Sequence, residues 1–293
     1  MPRGRWRPWQ ALAALLWAAS ATAQPAAVVV DRITWLAGDT VATRGGGVRP
    51  SDQLIDWISA RLPGIAHERV VANAKRSWVM IERGEPVCHA GAVRSAAREK
   101  LAYFSNTRPM PPLQLIVRRD RMAELPLDAA GQVDLAALLA DTRLRGALVH
   151  GRSYGPALDA LLAQQPARAA MRQITAGDFG SNLMPMLLQG RADYGIEYPN
   201  ALAALASSRP EVEGLAGLPI RGATEPVISG VACPRTPWGQ AAIRRIDAVL
   251  GTPEGAAMLR DTLLTDLTAD SRRQYRDTFD NFFQRRSQPT PGL

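Results

Sequence analysis

The run His150–Asp159, HGRSYGPALD, contains a G-x-S-x-G pattern from Gly151 to Gly155, between the strand-like LRGALVH and the helix-like PALDALLAQQ. A serine on such a strand-to-helix turn is the nucleophile elbow of a serine hydrolase, and there the general base is a histidine that follows the serine in the chain. Here His67, His89 and His150 all precede Ser153, and the lysines, Lys75 and Lys100, stand in no S-x-x-K arrangement. Without a base the hydroxyl is a poor nucleophile. The same stretch offers backbone N–H groups, the Arg152 guanidinium, the Ser153 hydroxyl and a helix N-terminus, which together suit a carboxylate or another anion. The expectation is therefore a ligand clamp with no catalytic residue; Gly151 and Gly155 equally fit a plain tight turn.

The elements that must position this loop alternate. VVVDRITWL (28–36) reads as a strand, and Ser51 is expected to cap a helix carrying Leu54, Ile55, Trp57, Ile58 and Leu62 at helical spacing. A second helix is expected from about Asn73 to Arg83 with Gly84 as its stop, followed by PVCHAGAV as a strand. LAYFSN then leads through Pro109, Pro111 and Pro112 into the strand LQLIVRR, a pattern expected where a chain crosses between lobes. Beyond it come VDLAALLAD as a helix, LRGALVH as a strand, and a helix with Pro156 in its first turn. RQIT, SNLMPMLLQG and ADYGIEY continue as strand, helix and strand. Such alternation predicts an α/β fold with parallel sheets, whose ligands sit beyond the carboxyl ends of the strands. From near Leu218, LPIRGATEPVISGVACP reads as a second extended crossing, and final helices start near Trp238 and Asp270. Tyr275, Phe279, Phe282 and Phe283 on the last helix are expected in the core, and the tail SQPTPGL is expected to be disordered.

The chain opens with Arg3, Arg5 and Arg7, an apolar run from Ala11 to Ala19, and Ala21-Thr22-Ala23. This is the pattern of a secretory signal peptide (1–23) cleaved after Ala23, and it predicts an exported, periplasmic protein without a lipid anchor. No later segment has the roughly 20 apolar residues of a membrane span. Losing the leader arginines lowers the formal net charge from +8 to +5, and no aromatic-interleaved basic stripe points to nucleic acid. Cys88 and Cys233, in an oxidising compartment, are expected to form one disulfide. The cysteines and histidines have no metal-ligand spacing, so neither a metal nor another cofactor is expected.

Taken in order, the leader, ITWLAGD, RSAAREKLAYFS, HGRSYG and GRADYGIEY resemble the family-3 extracellular solute-binding proteins, receptors of polar amino-acid ABC transporters. CHAG, GRSYG, GRADYGIEY and ACPRTPWG resemble an uncharacterised exported branch of that family more closely still. The resemblance implies a type II periplasmic-binding-protein-like α/β fold, two lobes joined by two crossing strands that close on a ligand by hinge bending. Lobe one would comprise residues 24–112 and 218–293, and lobe two residues 113–217. Cys88 and Cys233 would then brace one lobe and leave the hinge free.

The same resemblance places Arg98 as the arginine that forks onto a ligand carboxylate, Ser153 as an assisting hydroxyl, and Asp39 on the rim of lobe one. Arg152, Tyr154, Glu197 and Tyr198 are expected to complete the pocket. The family aspartate that takes a ligand ammonium is replaced here by Tyr198, and Glu197 lies one residue earlier, a step that turns a strand side chain to the other face. Three functions fit these residues. A monomeric solute-binding protein would take a small carboxylate or amino-acid-like ligand and serve an ABC permease. A ligand-sensing accessory protein would serve a membrane partner. A dehydratase-like enzyme would use Glu197 as general acid.

Overall fold

The computed structural model describes Met1 and residues 28–37, 50–164, 171–174, 183–206 and 209–293. The expected leader and Asp39 lie outside the described residues. Strand β1 (Arg32–Ala37) is buried along most of its length, as an interior parallel strand must be. Helix α1 (Pro50–Arg61) covers it with Leu54, Ile55 and Ile58; the helix begins one residue before Ser51, the expected cap. β2 (Ala66–Val71) pairs parallel to β1 on its outer side, and AHERVV is mostly exposed, so this edge strand carries no apolar alternation to be read. α2 (Ala74–Glu82) starts where Asn73 Oδ1 accepts the Arg76 N–H at 2.9 Å, and the chain turns off at Gly84 with φ +72°. β3 (Val87–Val93) pairs parallel to the other side of β1, α3 (Ala96–Glu99) is capped by Ser95, and β4 (Ala102–Met110) follows.

Residues 111–113 carry the chain into a second sheet. There β5 (Gln114–Arg118), α4 (Leu135–Ala140), β6 (Gly146–Val149), α5 (Pro156–Leu162), β7 (Met171–Ile174), α6 (Leu183–Leu188), β8 (Tyr194–Glu197), α7 (Pro199–Ala206) and β9 (Leu215–Pro219) follow in turn. The strand order is β7-β6-β8-β5-β9, with β6 parallel to β7 and β8 and with β5 antiparallel to β8 and β9. The chain returns as β10 (Val227–Pro234), which inserts antiparallel between β3 and β4 to give the order β2-β1-β3-β10-β4. α8 (Pro237–Leu250), α9 (Pro253–Asp266), α10 (Ala269–Gln274) and α11 (Arg276–Arg286) complete the described chain.

LPIRGATEPVISGVACP is thus two strands in different sheets, separated by a turn with Gly222 at φ +76°. Leu218 and Pro219, expected at the crossing, pair with Leu115 and Gln114 in the second sheet, and Ile220 is buried in that sheet's core, so the return passes through 221–226. Each sheet has its own apolar core, one holding Ile33, Trp35, Ile243 and Phe279, the other Leu115, Leu138, Leu148 and Ile196. Phe282 and Phe283 are buried beside Phe279, and Tyr275, half-buried at the break between α10 and α11, packs against the same core.

The tail is not disordered. Buried Asp247 accepts from the Thr290 N–H at 2.6 Å, the Ser105 hydroxyl at 2.6 Å and Arg286 Nη2 at 2.9 Å, and Arg244 Nε donates to the Leu293 carbonyl at 2.7 Å. A paired carboxylate in the core holds the segment that composition alone marked as loose.

Cys88 on β3 and Cys233 on β10 are joined with a Cα–Cα distance of 4.4 Å, within the first sheet and clear of both crossings. The bridge closes a loop of 145 residues, so it strongly restricts the unfolded chain. Cys88→Ser with Cys233→Ser is expected to cost about 2–5 kcal/mol of unfolding free energy. The loss is measured as a lower urea midpoint, with native far-UV circular dichroism unchanged.

Candidate functional site

The loop after β6 and the end of β8 meet α2, β3 and α3 where the two lobes face each other. Gly151, at φ +76°, lies against the start of α2; a Cβ there would fall 2.8 Å from the Lys75 Cα, so only glycine fits. Gly155 precedes α5 at φ +92° and faces Val227 at the return crossing.

Arg98, from α3, spans this junction. Its Nη1 donates to the Val93 carbonyl at 3.0 Å in its own lobe, and its Nη2 to the Gly151 carbonyl at 3.4 Å across the cleft. The guanidinium lies 4.3 Å from the centre of the Trp78 ring, and Trp78 stacks on His89 with centroids 6.4 Å apart. Burial pushes the Arg98 pKa down to about 10, with Asp159 and Tyr198 opposing that shift and Arg152 adding to it. The side chain is therefore charged but incompletely compensated.

Arg152 and Glu197 form a bidentate pair, Nη1 to Oε2 and Nη2 to Oε1, both at 2.6 Å, with side chains only 9% and 7% exposed respectively. The Tyr198 N–H adds a bond to Glu197 Oε1 at 2.8 Å. Burial opposes the charge on Arg152, but the facing carboxylate outweighs it and raises the Arg152 pKa. Arg152 also lies 5.3 Å from the Tyr154 ring centre and 5.4 Å from that of Tyr198. Tyr198, half-buried, packs against the cores of both lobes.

Apart from Asp39, which is not among the described residues, the expected site residues come together, but in unequal states. Arg98, Arg152, Glu197 and Tyr198 share the junction. Ser153 is buried and donates to Asp159 Oδ2 at 2.5 Å, while the Tyr154 N–H donates to Asp159 Oδ1 at 2.7 Å. The chain's own aspartate thus takes the anion-binding donors read from HGRSYG. Tyr154 is rooted in the second core, its hydroxyl accepting the Val149 N–H at 2.8 Å. Glu197 meets Arg152 with both oxygens, an arrangement that leaves neither poised as a proton donor.

Four further residues of the junction escaped the sequence reading. Trp78 was one apolar position among several on α2. Arg108 on β4 faces Asp266 at 3.8 Å, and Asn200 Nδ2 donates to the same Asp266 oxygen at 3.0 Å, linking α7 to α9 across the lobes. Their spacing in sequence gives no sign of this meeting.

His89 is 5% exposed, and its Nδ1 accepts the Gly91 N–H at 3.1 Å. Burial, then the nearby Arg98 charge, lowers its pKa from 6.5 to about 4. Between those two pH values the unfolded chain binds a proton that the folded chain refuses. The stabilisation is complete above about pH 6.5 and fades on acidification towards pH 4. Wild type should lose on the order of 3 kcal/mol more than His89→Gln between pH 7 and 4, measured by urea unfolding at each pH.

Neither a protein-family sequence model nor a curated protein sequence matches the chain. Solved structures do. A protein assigned to L-cystine ABC transport in Listeria monocytogenes aligns at TM-score 0.60 and 18% identity, covering 83% of this chain and 98% of that one. A histidine kinase sensor domain with similarity to periplasmic binding proteins aligns at TM-score 0.55 and 13% identity, covering 87% and 95%. The substrate-binding protein AbpA of a Streptococcus pneumoniae amino-acid ABC transporter, solved with L-arginine, aligns at TM-score 0.55 and 14% identity, covering 81% and 97%. The chain has the two-lobed, mixed α/β fold of the type II periplasmic-binding-protein class.

Proposed function

We propose that this chain is an exported solute-binding protein whose lobes close on a small carboxylate-bearing ligand for delivery to an ABC permease, with no catalytic step. The observation that carries the reading is Arg98, a charged guanidinium of lobe one that already reaches the Gly151 carbonyl of lobe two. At 3.4 Å that bond is the longer of its two carbonyl contacts, and a ligand carboxylate would take it over with a stronger, charge-assisted pair. Residues 24–112 with the chain after the return crossing form one lobe and the intervening run the other, so closure is a rotation about two short segments. Asp39 would stand on the rim, and the protein would act as a monomer. The amino-acid and cystine transport proteins among its structural neighbours support the binding role. The sensor domain covers 87% of this chain and favours a second reading, in which the same closure signals to a membrane partner.

A thermal-shift screen of the mature protein against carboxylate-bearing solutes tests the shared premise. A ligand well above its dissociation constant should stabilise by a few kcal/mol and raise the melting temperature. Arg98→Ala should weaken that ligand about 10- to 100-fold, the worth of one charge-assisted contact. Equal binding by the variant would overturn the site. Ligand-dependent stimulation of a permease by the loaded protein would separate transport from signalling.

A further inference from the structure

Asp266 is the last residue of α9 and Asn200 stands in the first turn of α7, so their contact joins a helix end of each lobe. A carboxylate is disfavoured at the negative C-terminal end of its own helix and favoured beside the positive N-terminal end of another. Asp266 therefore gains from docking against lobe two, where Asn200 Nδ2 donates to its Oδ2 at 3.0 Å. From lobe one, Arg108 Nη1 approaches the same oxygen to 3.8 Å, an attraction between charges without a hydrogen bond. Two polar atoms are left over: Arg108 Nη1 and Asn200 Oδ1 are buried, and neither has a hydrogen-bond partner among the described residues. A buried donor or acceptor left unpaired raises the free energy of the state that contains it. The lobe arrangement is thus held by a bond to a charged acceptor and opposed by two dry polar atoms, which a change of interlobe angle would return to water as it broke the bond. Opposed contributions of similar size are what a two-state element needs.

This bond also stands apart from the other direct bond between the lobes. Arg98 reaches the Gly151 backbone at 3.4 Å, whereas Asn200 and Asp266 meet side chain to side chain at a shorter distance and are not among the residues assigned to the ligand. We propose that Asn200 and Asp266, with Arg108 behind them, form an interlobe latch that sets what fraction of the protein has the lobe arrangement of this structure. The latch rests on the hinge-bending reading above and adds a control that lies outside the ligand's own contacts. A ligand that selects one arrangement has its apparent affinity scaled by the population of that arrangement, so Asn200 acts on binding through the lobe angle.

The experiment is pulsed dipolar spectroscopy of the mature protein without added solute. Spin labels are carried by Ala136→Cys on α4 of lobe two and Thr278→Cys on α11 of lobe one, both exposed positions. Asn200→Asp sets two carboxylates against each other and should lower the ratio of the wild-type distance to other distances about 3- to 10-fold, the worth of one hydrogen bond. The exchanged pair, Asn200→Asp with Asp266→Asn, again faces a donor with a carboxylate and should restore the wild-type distribution. Should Asn200→Asp lack the native far-UV circular dichroism, Asn200→Ala, which removes the donor alone, is read in its place with the same expectation. A distribution that these variants leave unchanged would overturn the latch, as would an exchanged pair that stays shifted. Neither result touches the binding reading, which stands or falls on the solute screen with Arg98→Ala whatever these distances show.

Discussion

A guanidinium taken out of water must be met by a carboxylate or by oriented dipoles, and the junction between the lobes is organised around that requirement. Moving an ion into a poorly hydrated site costs several kcal/mol unless geometry repays it. Arg152 is repaid by Glu197 in a fork-to-fork arrangement, with the Tyr198 N–H binding the same carboxylate. Arg108 faces Asp266 at 3.8 Å without a hydrogen bond from its buried Nη1, and burial lowers its pKa; Asn200 holds the same Asp266 from the opposite lobe. Arg98, among the described residues, meets two carbonyls and the Trp78 ring, and burial lowers its pKa as well.

The two lobes can rely on this junction because each is self-sufficient elsewhere. Each sheet is covered by its own helices, and the disulfide, the Asp247 network and the ordered tail all belong to the first lobe. Only the segments 111–113 and 221–226 join the sheets covalently. Hinge bending of the kind proposed would act through those two segments.

Much of this was legible from residue order. Asn73 and Gly84 bound α2 because capping and chain reversal are local chemistry, and the pairing of Cys88 with Cys233 followed from cysteine count and compartment. The alternation of strands and helices gave the α/β class, and the order of motifs pointed to the two-lobed fold. What escaped was decided by partners distant in sequence. β2 is an exposed edge strand with no apolar face to betray it, and β9 and β10 merged into one run because their separation depends on which sheet each joins. The Ser153 loop read as an open clamp because nothing in HGRSYG reveals that Asp159 turns back onto its donors. The loose tail was misread for the same reason, since its anchor, Asp247, lies in another helix.

The insertion of β10 between β3 and β4 also sets an order of assembly. Lobe two is one continuous run, so its contacts are comparatively local and its sheet can close as soon as that run is available. Lobe one is split: β3 and β4 are separated by the strand that arrives only after the whole of lobe two, and until then both present unpaired backbone edges. Long-range pairing of this kind is slow and leaves such edges open to association with other chains. The first sheet, unlike the second, is thus complete only once β10 has arrived, and the facing edges of β3 and β4 are the ones its insertion closes.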